Sequence, residues 1–200
     1  MEQKPYTAWA FDVDRVERWA YNKNLFTSEE CTKIIEYCKS YNLNSGTVIS
    51  DNSDDKIIDN SIRTSNVVFI QPVEEFQWVY RRLTDAIVDL NTKYFNFDLY
   101  GLTESLQFSE YNSPGGKYDA HIDKLTHGVI RKLSIVLQLS DPSTYTGGEF
   151  QLLDNGDPET LQKEQGTLLV FPSYTLHRVC PVTSNVRYSL VGWVSGKQFK

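Results

Sequence analysis

The feature that most constrains this chain is a change of hydrophobic period near residue 100. Before it, apolar residues recur at helical spacing; after it, they alternate with polar ones in short runs cut by Pro and Gly. The runs 104–111, 117–123, 129–140, 147–153, 166–171, 176–182 and 186–194 read as strands. Turns such as Ser113-Pro114-Gly115-Gly116 and Thr146-Gly147-Gly148 separate them. So many short strands in one stretch predict a sandwich or a closed barrel. Three of the strands have two unlike faces. Leu106 and Phe108 oppose Ser105, Gln107, Ser109 and Tyr111; Leu133, Ile135, Leu137 and Leu139 oppose Ser134, Val136, Gln138 and Ser140. Arg187, Ser189, Val191 and Trp193 oppose Tyr188, Leu190, Gly192 and Val194. A sandwich with a wet outer surface accounts for this pattern. A jelly roll enclosing a polar pocket accounts for it equally, and periodicity does not choose.

The first third reads as helices around a loop. Thr27-Ser28-Glu29-Glu30 offers an N-cap with acids in the first turn, followed by Ile34, Ile35, Cys38 and Tyr41 at helical spacing. This helix should stop near 42–46. Residues 44–60, rich in Asn, Ser, Asp and Gly, read as a solvated loop. Its acids Asp51, Asp54, Asp55 and Asp59 lack the central Gly and closing Glu of a calcium loop. A second helix is expected from Pro72, with Glu74 and Glu75 at its positive end and Phe76, Val79, Leu83, Ile87, Leu90 and Tyr94 as its apolar stripe. No linker or repeat divides the chain. The expectation is one domain, mainly β: a helical buttress of two or three helices over about 1–98 and a β core over about 99–196.

Two hundred residues suffice for a core without disulfides or a structural metal. Twenty Lys and Arg against 26 Asp and Glu leave a formal charge of −6, which favours neither a nucleic-acid backbone nor an anionic membrane. No run of roughly 18 apolar residues suggests a membrane span. The start, Met-Glu-Gln-Lys-Pro-Tyr, has no secretory pattern. Cys31, Cys38 and Cys180 are odd in number and form no CxxC pair, so they read as packing residues of a reduced, cytoplasmic protein.

Two of the three histidines keep informative company. His121-Ile122-Asp123 sets an imidazole and a carboxylate two residues apart, on one face if the segment is a strand. His177 lies in another candidate strand. Two imidazoles and one carboxylate on one side of an ion suit non-haem Fe(II) and leave positions open for substrate and dioxygen. Alone this is a weak signal, because a lone later histidine is usually structural. Ten residues beyond His177 stands Arg187, with Ser189 on the same strand face. A buried guanidinium needs an anion, and its fork fits a carboxylate. Iron paired with a fixed arginine points to a dicarboxylic cosubstrate.

At these residues the chain resembles the Fe(II)- and 2-oxoglutarate-dependent dioxygenases, in the branch of prolyl 4-hydroxylases and PKHD-type hydroxylases. The resemblance covers about 104–195, and more faintly Ile62-Arg63-Thr64-Ser65. It is carried by Tyr111 to Asp123, Arg131 to Pro142, Tyr145-Thr-Gly-Gly-Glu149, Gly166 to Ser173, Leu176-His177-Arg-Val and Arg187-Tyr-Ser189. It implies a double-stranded β-helix, a jelly roll with its site inside. It further implies Fe(II) on His121, Asp123 and His177, and the far carboxylate of 2-oxoglutarate on Arg187, with Ser189 assisting. Tyr111 would hydrogen-bond the cosubstrate. Several relatives have a tyrosine near Gln138 that touches the same carboxylate; here a glutamine stands in that region, and it can still donate a hydrogen bond to the cosubstrate.

The implied reaction couples decarboxylation of 2-oxoglutarate to succinate with hydroxylation of a C–H bond by O2, with ascorbate as a supporting reductant. A prolyl side chain in a protein or peptide is the expected substrate. A small-molecule hydroxylase and a non-catalytic metal-binding jelly roll remain as alternatives. His127 reads as a surface or supporting residue rather than a ligand. Trp193 is either a pocket wall or core, Arg131 either reaches substrate or ends a strand, and the 44–60 loop is either a lid or a connector.

Overall fold

The computed structural model describes residues 16–49, 56–123 and 128–198. In chain order it begins with β1 (Ala20–Asn22), α1 (Ser28–Lys39), β2 (Asn44–Ser45), β3 (Val48–Ile49), β4 (Lys56–Ile57), β5 (Arg63–Thr64), β6 (Asn66–Ile70) and α2 (Gln77–Leu90). Strands β7 (Leu99–Leu102), β8 (Leu106–Asn112), β9 (Lys117–His121), β10 (Arg131–Gln138), β11 (Thr146–Gly147) and β12 (Phe150–Leu152) follow. The last are β13 (Glu159–Thr160), β14 (Leu168–Pro172), β15 (His177–Val179), β16 (Val182–Ser184) and β17 (Val186–Gly196).

Two antiparallel sheets face each other. The major sheet runs β1-β14-β10-β17-β8-β6-β2, with β7 also on β17; the minor sheet runs β13-β12-β15-β9-β5. The two faces of the major sheet explain the alternation. Leu106, Phe108, Leu133, Ile135, Leu137, Leu139, Leu190 and Val194 pack with both helices in one core. On the opposite face Tyr111, Val136, Leu169 and Phe171 meet Phe150, Leu152 and Val179 of the minor sheet. The polar face therefore looks into the sandwich, as the jelly-roll reading required.

The helices hold the outer face. Thr27 accepts from the Glu30 amide through its side chain, and Glu30 accepts from the Thr27 amide at 2.9 Å, a capping box that satisfies two end donors. The same Glu30 carboxylate takes Arg82 of α2, which fastens one helix to the other. Cys31 and Cys38 are fully buried in this layer, and desolvation pushes both thiols up to about 12. They are packing residues, as expected.

The first third departs from a purely helical buttress. Strands β1, β2 and β6 belong to the major sheet and β5 to the minor one, so residue 98 is no structural boundary. The second helix also starts later than Pro72. Val73 donates to the Gln71 carbonyl in a tight turn, and a 3₁₀ turn at Glu74–Phe76 leads into α2. After α2 a wide π turn, Asn91–Phe95, spends one residue more than an α turn. That extra residue brings Phe95 inward in place of Tyr94, which is exposed. Tyr41 lies beyond the end of α1 and is likewise exposed, its hydroxyl 2.9 Å from that of Tyr37. The expected strand 176–182 is two strands, β15 and β16, and the strand at 117–123 stops at His121.

Within 44–60, β2 pairs with β6 and β3 pairs with β4. Asp59 accepts the amide and hydroxyl of Ser61 in a local turn, while Asp51, Asp54 and Asp55 lie outside the described residues.

Candidate active site

Antiparallel pairing of β9 with β15 sets His121 directly opposite His177. Their rings lie 4.2 Å apart between centroids. His121 Nδ1 is 2.7 Å from the Asp119 carbonyl and His177 Nδ1 is 2.9 Å from that of Thr175. A carbonyl only accepts, so in each ring Nδ1 carries a proton and Nε2 is the atom left to ligate. Both Nε2 atoms turn to Asp123, with His121 3.9 Å from Oδ1 and His177 3.6 Å from Oδ2. One ligand atom from each of the three residues lies within 4.8 Å of the others, close enough to grip one ion. Among the described residues this is the sole group of metal-ligating side chains of that kind.

Burial and the neighbouring His177 hold the His121 imidazole down to about 4, so it is neutral and ready to ligate near pH 7. Burial works to raise the Asp123 carboxyl, but both imidazoles and the Ser134 hydroxyl outweigh it and keep the group below the usual carboxylate range. Two imidazoles and one carboxylate are a donor set suited to ferrous iron.

The cavity beside the triad has a volume of about 310 Å³. Arg187 enters it from β17 with 1% of its surface exposed. Its Nη2 donates to Gln138 Oε1 at 2.8 Å, while Nε and Nη1 are buried without a hydrogen-bond partner. Unmet donors on a buried cation call for an anionic partner, which one carboxylate of a small diacid provides. The residues present therefore fit 2-oxoglutarate. The Gly-Gly turn makes room for this arginine: Gly148 has φ +66°, and a Cβ there would sit 2.9 Å from Arg187 Cδ.

Tyr111 and Ser189 border the same cavity, Tyr111 directly across from Arg187 in the sheet register. Gln138 does not line it. Its Nε2 donates to the Gln162 carbonyl at 3.0 Å and its Oε1 holds Arg187, so the glutamine orients the arginine. Trp193 is a wall, with the Arg131 guanidinium 3.9 Å from the centre of its ring. Arg131 is paired with both carboxylate oxygens of Glu104 and donates to the Asp123 carbonyl at 3.2 Å. Cys180 is not among the cavity-lining residues, and burial raises its thiol. His127 lies outside the described residues.

Tyr118, Arg63 and Glu104 are cavity residues that were not singled out from the sequence. Tyr118 stacks on His121 with ring centroids 3.6 Å apart, and the buried Arg63 lies 4.5 Å from the centre of the same Tyr118 ring. Arg63 is steadied by Ser65 Oγ and the Thr47 carbonyl. The Arg63-Thr64-Ser65 spacing, two side chains on one strand face, was the available signal. Glu104, which neutralises Arg131, had none. Thr47, Val48 and Lys56 also line the cavity, which brings part of the 44–60 segment to its edge.

Comparison with known proteins agrees with this geometry. Residues 106–195 match the sequence model of the 2OG-Fe(II) oxygenase superfamily. A PKHD-type hydroxylase of Synechococcus elongatus is 41% identical over 95 residues, covering 45% of this chain and 42% of that protein. A PKHD-type hydroxylase of Prochlorococcus marinus is 36% identical over 109 residues, covering 54% and 48%. These matches span less than half the length of either relative. Among solved structures, a Pseudomonas putida prolyl-4-hydroxylase superposes with a TM-score of 0.71 at 21% identity, over 90% of this chain and 94% of the other. A Trichoplax adhaerens prolyl hydroxylase, solved with a peptide fragment of hypoxia inducible factor, gives 0.74 at 19% identity over 90% and 84%. At these identities the superpositions show a shared fold, the double-stranded β-helix. Residues 106–195 are thus similar in sequence to the 2OG-Fe(II) oxygenase superfamily and, within it, to PKHD-type hydroxylases, and the fold is one that solved prolyl hydroxylases share.

Proposed function

We propose that this protein is an Fe(II)- and 2-oxoglutarate-dependent dioxygenase that hydroxylates a prolyl or similar side chain within a protein or peptide. The observation that carries the reading is one cavity holding both a His-Asp-His triad and a buried arginine with two unmet donors. His121, Asp123 and His177 would hold ferrous iron, which with 2-oxoglutarate and dioxygen would supply the oxidising power for C–H hydroxylation, with succinate and CO2 as coproducts. The chain's own residues bind and orient. Arg187 would hold the far carboxylate of the diacid through donors left unmet in the cavity, and Gln138 fixes the direction of its guanidinium. Tyr111 and Ser189 border the diacid. Val136, Phe150 and Val179 give the cavity dry walls that strengthen these polar contacts.

A polypeptide substrate is supported by two features. The cavity rim exposes Phe69 and Ile122, each about half accessible, apolar contacts suited to a chain lying across the mouth. The Trichoplax relative was captured with a peptide, and the curated relatives carry the hydroxylase name.

The test is turnover. With Fe(II), ascorbate and O2, 2-oxoglutarate should be converted to succinate, and proline-containing peptides should gain 16 mass units, the mass of one oxygen atom (about 16 Da). His121→Ala and Asp123→Ala should abolish both. Normal turnover by either variant would remove the metal assignment, and succinate formation without peptide oxidation would move the substrate to a small molecule.

A further inference from the structure

We propose that Ser134 is a positioning residue for Asp123, holding its carboxylate so that a single oxygen is offered to the metal. The proposal rests on the reading of His121, Asp123 and His177 as an iron site. Asp123 lies two residues past the end of β9, so no sheet ladder sets its place. Three bonds do so instead. Its amide donates to the Ser173 carbonyl at 3.0 Å, its carbonyl accepts from Arg131, and its Oδ2 accepts from Ser134 Oγ at 2.7 Å.

Only the last of these acts on the carboxylate. Ser134 belongs to β10, which pairs on both sides, with β14 and with β17, and stands between Phe171 and Trp193. It is paired on both sides within the major sheet, and both it and Ser173, 3.0 Å away between hydroxyl oxygens, are fully buried. A ligand on an irregular segment is thus tied to a fixed strand, an arrangement that narrows the directions the carboxylate can face. The chemistry explains the need. A carboxylate free at both oxygens can chelate an ion and occupy two positions. The proposed reaction needs the open positions for a bidentate cosubstrate and dioxygen. With Oδ2 engaged by Ser134, Oδ1 is left for the metal.

A serine buried merely to satisfy its own hydroxyl would affect folding and leave the metal alone. The two roles separate in a Co(II) titration of the metal-free protein, read by visible absorbance and calorimetry, with melting temperature as control. Ser134→Ala should weaken Co(II) binding roughly 10- to 100-fold and change the Co(II) absorption band. Ser173→Ala, an equal loss of a buried hydroxyl that does not touch the carboxylate, should stay within about threefold of the parent. If Ser134→Ala does not fold, Ser134→Cys, similar in size with a weaker donor, carries the same measurement and should also bind Co(II) less tightly. Unchanged affinity in the Ser134 variant, or an equal loss in Ser173→Ala, overturns the assignment. The parent protein and Asp123→Ala separate the two levels: if the parent shows no saturable Co(II) binding that Asp123→Ala removes, the iron site itself fails and the role of Ser134 with it.

Discussion

Replacing Arg187 with methionine should move two properties in opposite directions. In the ligand-free protein the guanidinium is buried, makes one hydrogen bond to Gln138 and leaves Nε and Nη1 unmet. No carboxylate of the described residues pairs with it. Methionine preserves much of the stem's volume and removes an uncompensated charge. Exchanging buried ionic groups for packed apolar ones is commonly neutral or stabilising by about 1–4 kcal/mol. After the loss of the Gln138 bond, at about 1–2 kcal/mol, a gain of about 1 kcal/mol remains. In a chain of this length that raises the melting temperature by roughly 2–4 °C. Binding of 2-oxoglutarate should collapse instead. Two hydrogen bonds to a charged donor contribute about 3 kcal/mol or more together, which is at least a 100-fold loss of affinity. Differential scanning calorimetry of the metal-free variant and anaerobic calorimetry with Mn(II) and 2-oxoglutarate read the two effects. A melting temperature lowered by more than about 4 °C, with cosubstrate affinity intact, would refute the reasoning and make Arg187 a structural residue.

Gln138→Leu keeps Arg187 but frees its direction, so 2-oxoglutarate affinity should fall about tenfold, the effect of one hydrogen bond, while Co(II) affinity stays level; a matching loss of metal binding would contradict the separation. The pH dependence of the metal-free protein should carry the mark of His121. Its folded-state pKa, about 4, is depressed below the ordinary value of 6.5, so the unfolded chain takes up the proton first. Stability is then full above about pH 6.5 and declines as pH falls toward 4, by on the order of 3 kcal/mol over the window. His121→Gln should flatten that decline in urea titrations between pH 4 and 7, and an unaltered slope would show that another group causes it.

The strands that matter most were readable because one face packs on helices and the other lines a cavity, so alternation survived in Leu133 to Gln138 and in Arg187 to Val194. The capping box at Thr27 and Glu30 is local chemistry and was readable for that reason. What escaped depends on geometry that spacing does not carry. Strands of two residues, such as β2 and β5, are too short for a period and exist through their partners. The exchange of Tyr94 for Phe95 follows from one extra residue in a π turn, which shifts the phase of every later position. At the site, His121, Asp123, His177 and Arg187 could be named because their side-chain chemistry is specialised. Ser134 could not, since serine on a polar face is ordinary until a carboxylate is found 2.7 Å from it. Glu104 was hidden likewise: charged residues are usually solvated, and only the fold shows where this one stands.

The central claim is that the triad and Arg187 serve one metal-bound diacid. Its most direct measurement is an anaerobic titration of the metal-free protein with Fe(II) and then 2-oxoglutarate, followed by visible absorption. A weak charge-transfer band should appear on addition of the diacid in the parent, require far more diacid in Arg187→Met, and be absent in His121→Ala. A parent protein that stays colourless with both components saturating would contradict the account.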